Sequence, residues 1–435
     1  MTRFAALALA LLPATALAQP VNLAEKVAAG DRAKYTLGLE LKGELFFVQD
    51  GKKESLPLEA KARIVFAERV LAVADGLPYA TARHYAEAGA TAVVGADRGT
   101  RALPTDRRLV VARRGADGLL CFSPAGPLTR DELDLVAEHF NPQCLAGLLP
   151  GKVANVGDTW TVGPAAAEAA CLFDALVKAQ LTGKLTAVKD GVATFTIEGT
   201  AEGVENGARA TATVTATGTF DVAAGRVTEL KWTQKDEREQ GPVSPASKIE
   251  ATATLTRESL LELPKELADA ALAKVPAGAV PAALTHLRHA DPRGRYEIVH
   301  PRDWHATGET GEHLVLRLID RGEFVAQATV TAWRKAEPGK HTPADEFKKA
   351  VAEAPGWKPE KVLAEGELPA GEGRWLYRVA AEGKMESQPA VQTFYLLAGP
   401  QGHQVAVTVT VPPDKQKAVG TRDADFVRGI EFGRK

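Results

Sequence analysis

Hydrophobic and polar residues alternate along most of the first 258 positions, with the period of two that a half-buried strand imposes. Residues 31–48 carry YTLGLELKGELFFV. In residues 58–74, Ala60, Ala62, Ile64 and Phe66 alternate against Lys61, Arg63 and Val65, and in residues 79–94 Ala82, His84, Ala86 and Ala88 oppose Thr81, Arg83, Tyr85 and Glu87. Shorter stretches at 108–113 and 119–122 follow, then five more at 181–188, 192–197, 209–220, 226–234 and 248–256. Turns fall at Gln49-Asp50-Gly51-Lys52, Asp75-Gly76, Lys189-Asp190-Gly191, Glu205-Asn206-Gly207 and Ala223-Ala224-Gly225. Regular strands joined by short turns predict an antiparallel meander. Residues 19–29 lack the pattern and are expected to form a loose leader.

The period changes once in this half. Thr129 suits a helix N-cap, Asp131 and Glu132 stand in the first turn, and Glu132 completes a capping box. Leu133, Val136, Ala137 and Phe140 follow at helical spacing, and Asn141-Pro142 ends the helix. Leu145, Leu148 and Leu149 add a short apolar patch, and Val156-Gly157-Asp158-Thr159-Trp160 reads as a turn that delivers Trp160 onto a new strand. Residues 164–175 predict a second, alanine-rich helix. The expectation is a helix that plugs an open sheet with Trp160 packed beneath it; a mobile lid over a cavity is the alternative.

Two strands present a face of small side chains: Ala210, Ala212, Val214 and Ala216 in one, Ile249, Ala251, Ala253 and Leu255 in the other. Such a face buries little area at ~25 cal/mol per Å², so something must lie close against it. The two helices are one candidate and a hydrophobic ligand in a half-open barrel is the other. The order of strands, plugging helix, G-D-T-W turn and further strands resembles the half-barrels of LolA-type periplasmic lipoprotein carriers. It is also similar to secreted bacterial proteins with a V-G-D-T-W segment. The resemblance covers about residues 30–258 and implies a cavity for acyl chains.

Pro264, Pro276 and Pro281 mark a Pro/Ala-rich linker over 259–290, with a short helical run at 265–274. Beyond it the pattern is α+β. Tyr296 to Pro301 is a strand, Asp303-Trp304 a turn, and 313–319 and 324–333 are strands joined around Asp320-Arg321-Gly322. Thr342-Pro343-Ala344-Asp345 predicts a helix start with Thr342 as N-cap and Phe347, Ala350 and Val351 on its core face. Strands at 375–380, 390–397 and 405–411 and a closing helix over 423–430 complete it. Tyr296, Ile298, Pro301, Trp304, the helix after Thr342, the strands Gln392 to Tyr395 and Val407 to Thr410, and Phe426, Ile430 and Phe432 resemble the PsbP-like fold, seen also in DcrB-type periplasmic proteins. The resemblance covers about 290–435; it implies binding of proteins or stabilisation of assemblies and brings no catalytic residues. The fold class expected is α+β, mainly antiparallel β: a half-barrel-like sheet plugged by a helix over 19–258, then a smaller PsbP-like unit over 291–435.

At 435 residues the chain is long enough for two or three domains. A net charge of −2 argues against wholesale attraction to nucleic acid. Arg3, the apolar stretch Phe4 to Leu12 and Ala16-Leu17-Ala18 form a secretory signal over 1–18, so the mature product is expected to be extracytoplasmic, and no later apolar run is long enough for a membrane span. Export permits a disulfide among Cys121, Cys144 and Cys171, with Cys144–Cys171 as the candidate bridge, Cys121–Cys144 as another, and three buried free thiols as the alternative.

The histidines concentrate at the linker. His286, His289, His300 and His305 are candidate metal ligands, with Asp291, Asp303 and His313 nearby, although their spacing matches no zinc pattern and a solvated cluster is the alternative. No GxSxG, SxxK, HExxH or phosphate-binding loop is present, and no cofactor is implied. The function expected is non-catalytic binding of a partner protein or cell-envelope component. The alternatives are carriage of a hydrophobic small molecule or lipid in the half-barrel, and metal binding at the histidines.

Overall fold

A computed structural model describes residues 20–433 apart from 50, 116, 117 and 372. The segment 1–18, expected from its sequence to be a secretory signal, lies outside the described residues. The alternating stretches are long strands: β1 (Arg32–Gln49), β2 (Lys52–Ala74), β3 (Leu77–Val94), β4 (Asp97–Ala102), β5 (Leu109–Gly115) and β6 (Gly118–Phe122). Helix α1 (Arg130–Ala137), β7 (Thr159–Thr161) and α2 (Pro164–Cys171) follow, and then β8 (Ala175–Lys189), β9 (Val192–Glu205), β10 (Ala208–Asp221), β11 (Arg226–Arg238) and β12 (Ala246–Ser259). All twelve strands form one sheet, in the order β6-β5-β3-β2-β1-β12-β11-β10-β9-β8-β7, with β4 paired to β3. The first long strand and the last are thus neighbours, with Leu37 opposite Leu255 and Leu41 opposite Ala251.

One face of this sheet carries the core. Tyr35, Leu37, Ile64, Phe66, Leu230, Trp232, Leu255 and the alanines of β10 are all buried there. A register shift between Val65 and Phe66 lets Ala88 and then Tyr85, Arg83 and Thr81 share that face, so alternation along β3 does not run unbroken. Onto it pack Leu133 and Val136 of α1, Phe140, Leu145, Leu148 and the alanines of α2. Thr129 caps α1 with both halves of the capping box formed. The small side chains of the sheet let other groups come close. Phe173 lies over Gly203, and Trp160 lies over Gly183, where an added Cβ would stand 2.2 Å from the indole. The indole N–H of Trp160 donates to the Leu148 carbonyl at 2.9 Å, tying the turn to the apolar patch.

The expectation of a loose leader is corrected. Val21 and Leu23 are buried, and Glu25 forms an ion pair with Arg257 at 2.9 Å in which both side chains are nearly inaccessible. The cause is long-range: Arg257 sits on the core side of β12 against the Tyr35 ring, and its charge requires a partner there.

The strands beyond residue 259 are β13 (Leu287–Ala290), β14 (Tyr296–His300), β15 (Trp304–Glu309), β16 (His313–Asp320), β17 (Glu323–Trp333), β18 (Trp357–Leu368), β19 (Trp375–Met385), β20 (Gln388–Ala398), β21 (Gln404–Val411) and β22 (Ile430–Phe432). A seven-stranded antiparallel sheet runs β15-β16-β17-β21-β20-β19-β18, and β13-β14-β22 form a small one. Trp304, Leu316, Val409, Phe426 and Ile430 pack on one face of the larger sheet, under α4 (Arg422–Arg428). Phe347, Trp357, Tyr377 and Phe394 pack on the other, under α3 (Ala344–Ala352). Thr342 does not cap α3 as its sequence suggested. Pro343 takes the N-cap position, and the Thr342 hydroxyl instead accepts from the Trp333 indole at 3.1 Å and from Gln404 at 3.1 Å. No described helix is long and apolar enough to cross a membrane.

Candidate functional site

The core face of the large sheet extends past its core. Along β1, which pairs with both neighbours without a register shift, Tyr35 and Leu37 are buried; Leu39 is half-buried at the core's edge; and Leu41, Leu45 and Phe47 continue the same face. Cross-strand register assembles these side chains into rows. One row runs Val94, Leu58, Gly43, Ile249 and Asp236. The row nearer the core runs Ala92, Ala60, Leu41, Ala251 and Gln234, and the row farther out runs Leu56, Leu45, Ser247 and Arg238. None of Leu41, Leu45, Leu56, Leu58 or Ile249 belongs to a core cluster, and Leu56 is 37% exposed. At Gly43 an added Cβ would stand 2.1 Å from the Lys248 carbonyl oxygen, so that row is broken by bare backbone.

The β11 end of these rows is acidic. Asp236 accepts from the Gln234 amide at 2.8 Å, and Glu205 at the end of β9 pairs with Arg238. Glu138, the C-terminal cap of α1, stands accessible at the rim and faces Asp134, which binds Arg101 at 3.4 Å. Loss of water followed by the Asp134 charge pushes Glu138 up to about 7. Burial, reinforced by Glu205, does the same for Asp236. Glu205 is raised too, by burial first and by Glu138 and Asp174 after the opposing Arg238. Carboxyls thus border an apolar surface, each raised by lost hydration and by a neighbouring carboxylate.

The sequence-derived candidates lie elsewhere. His286, His289, His300 and His305 gather near the seam between the two large sheets, where Arg288 donates its backbone N–H to the Leu128 carbonyl. His300 is buried against the Phe426 ring and bonds the Pro301 carbonyl; His289 meets Glu309 at 3.1 Å; His305 meets Arg130 at 3.2 Å. Burial lowers His300 and His305 to about 4 each, helped by Arg130. Asp291 is engaged by Arg295, Asp303 by Arg422, and His313 by Thr331. Among the described residues no group of three or more His, Cys, Asp or Glu side chains is placed to hold a metal ion. A guanidinium against His305 opposes a cation there.

Cys121, Cys144 and Cys171 are all buried free thiols, the alternative to a Cys144–Cys171 bridge, and burial pushes Cys144 and Cys171 up to about 12. Such thiols are poor nucleophiles. Two hollows lie away from the rows. One, of about 490 Å³, opens beside Lys152, Asp158 and Trp160. The other, of about 720 Å³, is a shallow groove between the Glu40–Lys61 and Arg63–Glu87 ion pairs on the polar side of the sheet.

Sequence reasoning missed the apolar rows because their residues alternate as core strands do. Leu45 and Leu58 read like Leu37 and Ile64 until the end of the covering helices is known.

No family model matches the sequence, and no curated protein matches it. Among solved structures the chain is similar to cyanobacterial PsbP (CyanoP) from Synechocystis sp. PCC 6803, at 16% identity and a TM-score of 0.25, over 36% of this chain and 99% of that one. It is similar to the Saccharomyces cerevisiae Ran-binding protein Mog1p, at 16% identity and a TM-score of 0.26, over 34% of this chain and 95% of that one. A resemblance to a PsbP-like structure is thus present over about a third of the chain.

Proposed function

We propose that this is an exported, non-catalytic binding protein, and that its partner docks on the uncovered end of the large sheet's core face. The reading takes 19–258 as the docking unit, a half-barrel-like sheet plugged by α1, and 291–435 as a PsbP-like unit that braces it. The observation that carries it is the set of apolar rows from Leu56 to Ile249, whose leucines and isoleucine stand outside the core cluster, half-buried or exposed. Uncovered contiguous apolar surface marks an interaction site. Catalysis has no comparable support: burial raises the Cys144 and Cys171 thiols, and His305, His289 and His300 are engaged by Arg130, Glu309 and a carbonyl.

A photo-crosslinking amino acid placed at Leu56 in the native host tests the reading, with the adjacent Ser55, on the opposite face of β2, as control. A discrete protein adduct from position 56 and not from 55 is expected. Equal labelling at the two positions, or none, overturns the proposal. A lipid-sized mass retained in native mass spectrometry in place of a protein adduct transfers the face to a small hydrophobic ligand.

A further inference from the structure

We infer that what docks on this face is a polypeptide segment combining apolar side chains with lysine or arginine. This rests on the docking reading above and adds the chemistry of the partner.

The argument starts from the rows. Leu58 and Asp236 share one row but stand on β2 and β11, three strand spacings apart through β1 and β12. At ~4.8 Å per spacing that is ~14 Å, the rise of about four residues of extended chain. A segment laid across the sheet can therefore set an apolar side chain against Leu58, Leu45 and Ile249 and bring a cationic one to Asp236 about four residues later. Gly43 lies between them without a side chain, because the Lys248 carbonyl fills the place its Cβ would take.

Charge decides the sign of the partner. Asp236 stands in the β11 row, Glu205 reaches Arg238 of the same strand, and Phe140 against Trp232 brings the Glu138 end of α1 to it. The cations facing them are Arg101 and Arg130 toward Asp134 and Arg238 toward Glu205. Among the described residues Asp236 forms no ion pair; its carboxylate is met by the Gln234 amide. An incoming ammonium or guanidinium would meet complementary charge at Asp236 and Glu138, whereas an acidic segment would meet like charge. Openness decides the class. A small amphiphile is ordinarily held in an enclosed pocket, but these rows form an open face on which Leu56 remains 37% exposed. Such a face suits a chain that lays one side chain per row.

The test uses the full mature chain and fluorescence anisotropy with three labelled twelve-residue peptides that alternate leucine with lysine, glutamine or glutamate. The leucine–lysine peptide is expected to bind about tenfold tighter than the leucine–glutamine one, and the leucine–glutamate peptide more weakly than either. Glu138→Gln combined with Asp236→Asn should erase the lysine preference, so that the lysine and glutamine peptides bind alike. Both substitutions keep the size of the side chain and remove only its charge, and circular dichroism of the variant checks that folding is intact. Leu56→Glu should weaken both the lysine and glutamine peptides. Equal binding of the lysine and glutamine peptides overturns this inference while leaving the docking reading to its crosslinking test. A lysine preference that survives the double substitution, or that is abolished by Glu40→Gln on the polar side of the sheet, overturns it as well.

Discussion

Arg83 and Glu68 stand opposite one another on β3 and β2 and meet at 2.8 Å with both side chains essentially out of water. Arg83 also donates to the Asn141 side chain at 2.8 Å, just beyond α1, so the pair joins the sheet to its covering helix. A buried charge left without its partner is costly. Arg83→Met is expected to destabilise the protein by about 3–5 kcal/mol in urea unfolding. Adding Glu68→Leu should restore most of that loss, because the stranded carboxylate is then gone. If the double variant is no better than the single one, the ion pair is not what holds this junction.

Acid should loosen the seam between the two large sheets. His300 and His305 are held near 4, below the ordinary imidazole value, by burial and by Arg130. The unfolded chain therefore takes up their protons first, so their contribution is intact above about 6.5 and is lost as pH falls toward about 4. Asp236 and Glu138 act in the opposite sense. Raised to about 7, their carboxylates weaken the fold at neutral and higher pH and cease to do so as they protonate on acidification. Thermal midpoints from pH 8 to pH 4 separate the two effects. His305→Gln should lose less stability in acid than the parent, and Asp236→Asn should lose more.

All three thiols are buried, so none should react with a thiol reagent in native protein and all three should react in denaturant. The intact mass should be unchanged by reductant. Two missing hydrogens would restore the Cys144–Cys171 bridge.

Gly183→Ala should cost about 1–3 kcal/mol, since the new methyl would enter the Trp160 ring. Calorimetry checks it. A paired Trp160→Leu substitution should reduce the penalty, whereas a purely backbone effect would leave it unchanged.

Much of the architecture was legible in local pattern. The period-two stretches became strands, Thr129 and Glu132 formed their capping box, and Trp160 arrived on a strand beneath the apolar patch. What failed was whatever depended on distant partners. Glu25 reads as a solvent residue in a leader until Arg257, 232 positions away, supplies its charge. Thr342 reads as a cap until the Trp333 indole and Gln404 engage it. The binding face was hidden for a different reason. Leu45 and Leu58 obey the alternation of core strands, and only the point where α1 and the 142–148 turn stop covering the sheet distinguishes them from Leu37 and Ile64.

The pairing of β1 with β12 also governs how the chain must reach its fold. Arg32–Gln49 hydrogen-bonds to Ala246–Ser259, so close to half of the polypeptide lies between two strands that must meet before either gains its full set of bonds. Closing so long a loop delays the reward for ordering, which makes folding slow and leaves the edge of β1 open meanwhile. A chain delivered end-first cannot complete this sheet until residue 259 is available. Until then the leucines of β1 stand unshielded, and a holding partner that prefers apolar strands would find its best target in the first fifty residues.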